Sequence, residues 1–271
     1  MITELKFFKK LKYPFIFDKR QRFAIQTIFL TAGILTTQII WEDFRFVMVG
    51  ILSIITYILT VWSLAEDIKG TEWILLFILP VMFTASLSLF YFLLPARWII
   101  RIILTTIFAI GSYAILLVEN INNVAAERSI QLIRAAQSIG LLASLVVLFF
   151  SANVIYSLRL SFWQNLGLIF IVSFVLSLQS FWSVILATPI TGRLIMYSGI
   201  VGLILGEIAF CLSFWPITNS SYALLIAASY YSLVGLLQHH LLDKFFINMI
   251  REYIFVFIFT LILALFVTRW G

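Results

Sequence analysis

The chain has 271 residues, of which 63% are hydrophobic and 11% are charged, and its formal net charge is +6. Because a water-soluble domain carries roughly a quarter charged residues, this composition excludes an ordinary soluble fold and predicts a protein embedded in lipid. The net positive charge does not indicate nucleic-acid binding. Seven of the 18 Lys and Arg residues lie within residues 1–22, and no basic patch interleaved with aromatic residues occurs elsewhere.

Residues 1–22 are predicted to form a basic cytoplasmic tail. Ile2, Leu5, Phe8 and Leu11 recur every three residues among lysines, a pattern typical of a short helix that lies on a membrane surface. Anionic headgroups are the expected partner, and an acidic protein is the alternative. No small-residue cleavage site follows the next apolar run, so we expect that run to stay as a membrane anchor.

Residues 23–271 are predicted to form a single transmembrane domain without a soluble module. Each apolar segment has about the ~20 residues that a helix needs to cross the hydrocarbon core, and each is apolar on every face, unlike a barrel strand. The nine predicted spans are 23–40, 46–65, 73–94, 98–118, 138–157, 162–185, 194–214, 222–242 and 250–268. The predicted fold class is therefore an all-α, polytopic membrane bundle of about nine helices.

Orientation is predicted from the Lys and Arg residues, which favour the cytoplasmic side. With nine spans and the N-terminus inside, 13 of them lie on the cytoplasmic side and 5 on the outer side. Without the tail the numbers are 6 and 5, so the tail decides the orientation. We expect a plasma (inner) membrane protein with a cytoplasmic N-terminus and, if all nine segments cross, an outer C-terminus.

The connection 119–137 is long, polar and helical in pattern. Six polar residues recur along it at spacings of three or four: Asn120, Asn123, Glu127, Gln131, Arg134 and Ser138. On a helix they form one narrow polar stripe. Glu127 and Arg134, with Gln131 between them, are candidates to bind an anionic ligand. The alternative is an interfacial helix whose polar face is simply solvated.

Glu207 is the only acidic residue predicted well inside a span, and an ionisable group there is a candidate functional residue. Arg101 and Asn153 are predicted at a similar depth in the outer half of their spans. The three could form an ion- or proton-coupled site, or a buried pair that locks helices together. A third alternative is a neutral Glu207 carboxyl exposed to lipid.

The seventh span carries small residues along one side, among them Gly199, Gly202 and Gly206. Small residues let two helix backbones approach closely, which is how membrane helices gain contact where burial in lipid offers no hydrophobic drive. We expect this seam to pack against another helix of the same chain, and a second subunit is the alternative.

No motif for catalysis is present: HExxH, GxSxG, a P-loop and an acidic pair for a magnesium diphosphate are all missing. His239 and His240 are adjacent and point about 100° apart on a helix, and Cys211 is the one cysteine, so we expect no metal and no cofactor. The first hypothesis is a non-catalytic membrane subunit or scaffold that acts through a membrane protein partner, a second copy or lipid. The second is a transporter or channel with a polar path near Glu207, and the third is a lipid-modifying enzyme.

Overall fold

The computed structural model describes residues 17–40, 44–64, 73–95, 97–125, 132–186, 190–242 and 247–268. Within these residues it contains nine α-helices and no strand. In chain order they are α1 Lys19–Ile40, α2 Arg45–Leu64, α3 Trp73–Tyr91, α4 Trp98–Ala125, α5 Ile133–Ser157, α6 Phe162–Ile185, α7 Gly192–Leu212, α8 Asn219–Leu241 and α9 Ile247–Val267. Each predicted span coincides with one helix, and the prediction of an all-α membrane bundle is confirmed. The predicted helix of the basic tail falls largely on residues 1–16, outside the described residues.

Among the described residues, the eight helices α2 to α9 are long and apolar enough to cross a membrane. In lipid a helix satisfies its own backbone hydrogen bonds, which is why continuous apolar runs take this form. The exception is α1, whose first turn carries Lys19, Arg20 and Arg22. That α1 crosses the membrane therefore remains a prediction.

The helix α4 is longer than its predicted span. It continues past residue 118 to Ala125, and α5 begins at Ile133. The predicted polar connection 119–137 is therefore largely the end of one helix and the start of the next. Glu119, Asn122 and Asn123, which follow the predicted end of the span, are buried in the bundle.

The centre of the bundle is built by α5 and α8, which pack against each other. The helix α5 also packs against α3, α4 and α6, and α8 packs against α6, α7 and α9. Buried residues such as Val147, Leu205 and Tyr230 form one continuous core across these helices. At the edge of the bundle, α1 packs against α2 and α4.

The most extensive contact between two helices is that of α6 with α7. A Cβ atom placed on Gly202 would lie 3.0 Å from the backbone oxygen of Phe170, and one on Gly206 would lie 3.1 Å from that of Leu166. At Gly199 nothing lies within 4 Å of the Cβ position. Gly202 and Gly206 therefore allow the two backbones to meet within one chain, whereas Gly199 lies outside the close contact.

Candidate functional site

The described residues include four of the six residues of the predicted polar stripe: Asn120, Asn123, Arg134 and Ser138. Glu127 and Gln131 lie outside the described residues. Arg134 is exposed in the first turn of α5, where its backbone oxygen accepts a hydrogen bond of 3.1 Å from Ser138 Oγ. Asn123 is buried near the end of α4. The continuous stripe therefore stays a prediction.

The predicted cluster of Arg101, Asn153 and Glu207 has a different arrangement from the one expected. Arg101 Nε donates a hydrogen bond of 3.0 Å to the Tyr91 hydroxyl, and its guanidinium lies 4.9 Å from the centre of the Trp98 ring. Asn153 is buried in α5, whereas Glu207 is exposed on α7. No hydrogen bond or ion pair joins the three within the described ranges.

Glu207 lies on an exposed face of α7. The exposed residues follow one another at spacings of three and four, so they lie along a single side of the helix and its C-terminal cap. This surface, the Glu207 face, consists of Met196, Ile200, Leu203, Glu207, Cys211 and Phe214. Glu207 lies about 100–140° around the axis of α7 from Gly206 and Gly202, so this face is beside the glycine contact with α6. It presents one ionisable side chain in an otherwise apolar row.

An aromatic cluster lies beside the outer end of this face. The ring centres of Phe162 and Phe214 are 5.3 Å apart, and Phe210 lies 5.3 Å from Trp163. Trp163 is 65% exposed. An exposed tryptophan at the end of a span is typical of the membrane–water interface. Glu207, five residues before the end of α7, therefore lies inside the predicted outer surface of the membrane.

A second acidic residue, Glu119, is completely buried. Gln179 Nε2 donates a hydrogen bond to Glu119 Oε1, and Asn122 Nδ2 donates one of 3.4 Å to Glu119 Oε2. Glu119 and Asn122 are one turn apart on α4, and Gln179 comes from α6. We call these three residues the Glu119 site. From the sequence, Glu119 is predicted only to be the first residue of the polar connection 119–137.

The Glu119 site contains polar atoms without partners among the described residues. They include Gln179 Oε1 and Asn122 Oδ1, although Gln179 is 3% exposed and Asn122 is 1% exposed. Buried polar atoms are nearly always hydrogen-bonded, so each exception calls for an explanation. Here two amide oxygens and one carboxylate belong to side chains joined by hydrogen bonds between α4 and α6.

Further amides lie near the same ends of the neighbouring helices. Gln137 Nε2 in α5 donates to the Ser183 backbone oxygen at 3.1 Å, and Gln238 Nε2 in α8 donates to Ser180 Oγ at 2.9 Å. Both glutamines are half-buried. In the predicted orientation these helix ends and the Glu119 site lie on the cytoplasmic side.

The two adjacent histidines and the acidic residues do not form a common cluster in the described part of the chain. Nowhere there do three or more His, Cys, Asp or Glu side chains come together as a metal site would need. His239 Nε2 instead lies 3.2 Å from the Tyr253 hydroxyl, across the contact between α8 and α9.

Comparison with known proteins assigns a family. Residues 33–267 match the family described as "Protein of unknown function (DUF5656)", and the chain belongs to this family. The match covers α2 to α9 and part of α1. No curated protein and no solved structure matches the chain.

Proposed function

We propose that this DUF5656 protein is a membrane-embedded subunit that binds a partner membrane protein along the Glu207 face and catalyses no reaction itself. The bundle of membrane-spanning helices provides the scaffold. The observation that carries the proposal is the position of Glu207: an acidic side chain that is exposed, inside a span, in the middle of an apolar row.

The energetic argument concerns what surrounds that carboxyl. Glu207 lies five residues, or about 7.5 Å along the axis, from the last residue of α7. An acidic side chain exposed to hydrocarbon costs about 2.5–3.5 kcal/mol on insertion scales. The described part of the chain gives Glu207 no hydrogen-bond partner. A partner helix that brings a donor to the same depth removes this cost.

Charge complementarity defines the partner. The matching surface is an apolar membrane helix with one Lys or Arg facing Glu207, or one Asn or Gln that donates a hydrogen bond to it. Small or β-branched residues above and below would fit against Ile200 and Leu203. The charge pair supplies the depth and register of the contact, and the apolar row supplies its area.

The orientation and location of the chain belong to the same proposal. A cytoplasmic N-terminus is supported by the seven Lys and Arg residues within residues 1–22, and the plasma (inner) membrane is the proposed location. The basic residues of the tail that precede Arg22 would bind anionic headgroups, at about 1 kcal/mol for each basic side chain near the surface. The partner helix then meets Glu207 in the outer half of the bilayer.

Site-specific photo-crosslinking in the native membrane tests the proposal. A benzophenone amino acid replaces Leu203 on the Glu207 face or, as the control, Ile102, which is 64% exposed on α4. We expect the Leu203 probe to label a segment of one membrane protein that contains a basic or amide residue within its span. Glu207→Leu should reduce that adduct at least tenfold, because truncating one partner of a buried charge pair costs about 2–5 kcal/mol.

Two results would overturn the partner proposal. One is a Leu203 adduct that joins two copies of this chain, which would make the face a homodimer contact. The other is labelling of lipid alone, with equal yields from both probes and no response to Glu207→Leu. Native mass spectrometry of the complex extracted in mild detergent gives the stoichiometry of partner to chain.

A further inference from the structure

We infer that the Glu119 carboxylate, together with the amide groups of Gln179 and Asn122, forms a binding site for one alkali cation such as Na⁺. The inference goes beyond the proposed subunit role and concerns the interior of the bundle, not its outer face. It rests on the charge, the burial and the donor atoms of these three side chains.

The charge argument begins with the hydrogen bonds of Glu119. Each carboxylate oxygen accepts a hydrogen bond from a different amide, Oε1 from Gln179 and Oε2 from Asn122. Hydrogen bonds donated to both oxygens favour the ionised form of a carboxyl. No described basic side chain forms an ion pair with Glu119, and its exposed fraction is 0%. A buried charge without a partner is very costly, so Glu119 in this site is neutralised either by a proton or by a bound cation, and the inference is that a cation does so.

The donor atoms fit a hard cation. Such ions take oxygen ligands from carboxylates and from amide carbonyl groups. The site can offer four: both carboxylate oxygens of Glu119, Gln179 Oε1 and Asn122 Oδ1, and the last two make no hydrogen bond to any described residue. A rotation of half a turn about the last side-chain bond of Gln179 or Asn122 places the amide oxygen where the N–H group now faces Glu119. One carboxylate and neutral oxygens match a charge of +1.

The Glu119 site lies near one end of the helices that form it. Glu119 lies six residues before the end of α4, and Gln179 lies six residues before the end of α6, each about 9 Å along the helix. Gln137 and Gln238 lie closer to the same surface and are half-buried. Towards the centre of the bundle, Phe108, Ile115 and Leu176 belong to the buried apolar core. The cation would therefore enter and leave from the predicted cytoplasmic side.

Thermal unfolding of the purified full-length chain tests the inference without any partner protein. The melting temperature is measured in detergent at pH 7.5, with NaCl replacing choline chloride from 1 to 300 mM at constant ionic strength. A ligand that binds only the folded state stabilises it by mass action. At ten times the dissociation constant we expect a rise of about 3–5 °C, which saturates as the site fills.

Three variants assign that rise to the site. Glu119→Gln should fold in choline chloride and lose the response to sodium. Glu252→Gln makes the same chemical change at an exposed position and should keep it. Gln179→Leu retains the carboxylate, removes one oxygen ligand, and should raise the sodium concentration of the half-maximal shift at least tenfold. If Glu119→Gln does not fold, Gln179→Leu and Asn122→Ala carry the test.

The inference falls if sodium and choline give the same melting temperature for the unaltered chain, or if Gln179→Leu and Asn122→Ala leave the half-maximal sodium concentration unchanged. A melting temperature that depends on pH through Glu119 but not on any alkali cation would also overturn it. Glu119 would then be a protonated carboxyl that joins α4 to α6. The crosslinking result at Leu203 is independent of all these outcomes, so failure of one proposal leaves the other in place.

Discussion

Replacing Gly202 with leucine should lower the free energy of unfolding by about 3 kcal/mol. A Cβ atom at this position already lies 3.0 Å from the Phe170 backbone oxygen and 3.2 Å from Phe174 Cβ, and neither of these atoms can swing away as the end of a side chain can. Overpacking of a closed contact costs about 1–3 kcal/mol, and the larger value applies because the helix backbones themselves must separate. Unfolding by SDS in mixed micelles, followed by tryptophan fluorescence, measures the change.

The control for this variant lies on the same helix. Gly199→Leu adds the same side chain three residues earlier, where nothing lies within 4 Å of the Cβ position. We expect its free energy of unfolding to stay within about 0.5 kcal/mol of the original value, as for surface substitutions generally. Equal losses at Gly199 and Gly202 would mean that glycine is needed for some property other than the contact of α6 with α7.

The spans were predictable because lipid imposes a simple condition on sequence. A helix that crosses the hydrocarbon needs about 20 apolar residues, and runs such as those of α3 and α6 meet this condition on every face. Hydropathy failed where a helix continues beyond the hydrocarbon. Glu119 ended the fourth predicted span, although Ile121 and Val124 repeat the apolar spacing after it and α4 runs on to Ala125. That spacing was the available signal for a buried polar site.

The side of a helix on which a polar residue lies was harder to predict than its depth. Glu207 and Asn153 both lie within the helices predicted for them, yet Glu207 is exposed and Asn153 is buried. Which side of an apolar helix faces the bundle depends on its neighbours, and a helix that is apolar all round carries no periodic signal of it. The glycines of α7 do carry such a signal, because Gly202 and Gly206 contact α6 and Glu207 lies about 100–140° around the helix from them. The predicted packing seam could therefore have been used to orient Glu207 away from α6.

Replacing Arg22 with leucine should lower the free energy of unfolding by about 2–3 kcal/mol. Although Arg22 lies in the predicted basic tail, its side chain belongs to the buried core. Its exposed fraction is 0%, and its guanidinium donates a hydrogen bond of 3.3 Å to the Trp62 backbone oxygen. Trp62 lies in the last turn of α2, where carbonyl groups have no partner within the helix. A cation at a helix C-terminus contributes up to about 2 kcal/mol when partly buried, and a hydrogen bond to a charged group about 1.5–3 kcal/mol.

A control variant at the neighbouring Arg20 distinguishes the structural role of Arg22 from its contribution to membrane orientation. Arg20→Leu removes the same charge from the same turn of α1, but Arg20 is exposed. Both variants therefore weaken the positive-inside signal equally, and a difference between them in SDS unfolding reports the contact with α2 alone. We expect Arg20→Leu to change the free energy of unfolding by less than about 0.5 kcal/mol. Arg22→Lys should fall between the two, because its single ammonium keeps the charge beside Trp62 but lacks the planar fork of donors. Equal effects of Arg20→Leu and Arg22→Leu would contradict a stabilising contact between Arg22 and the C-terminal end of α2. Arg22 would then contribute only its charge, as the other basic residues of the tail do.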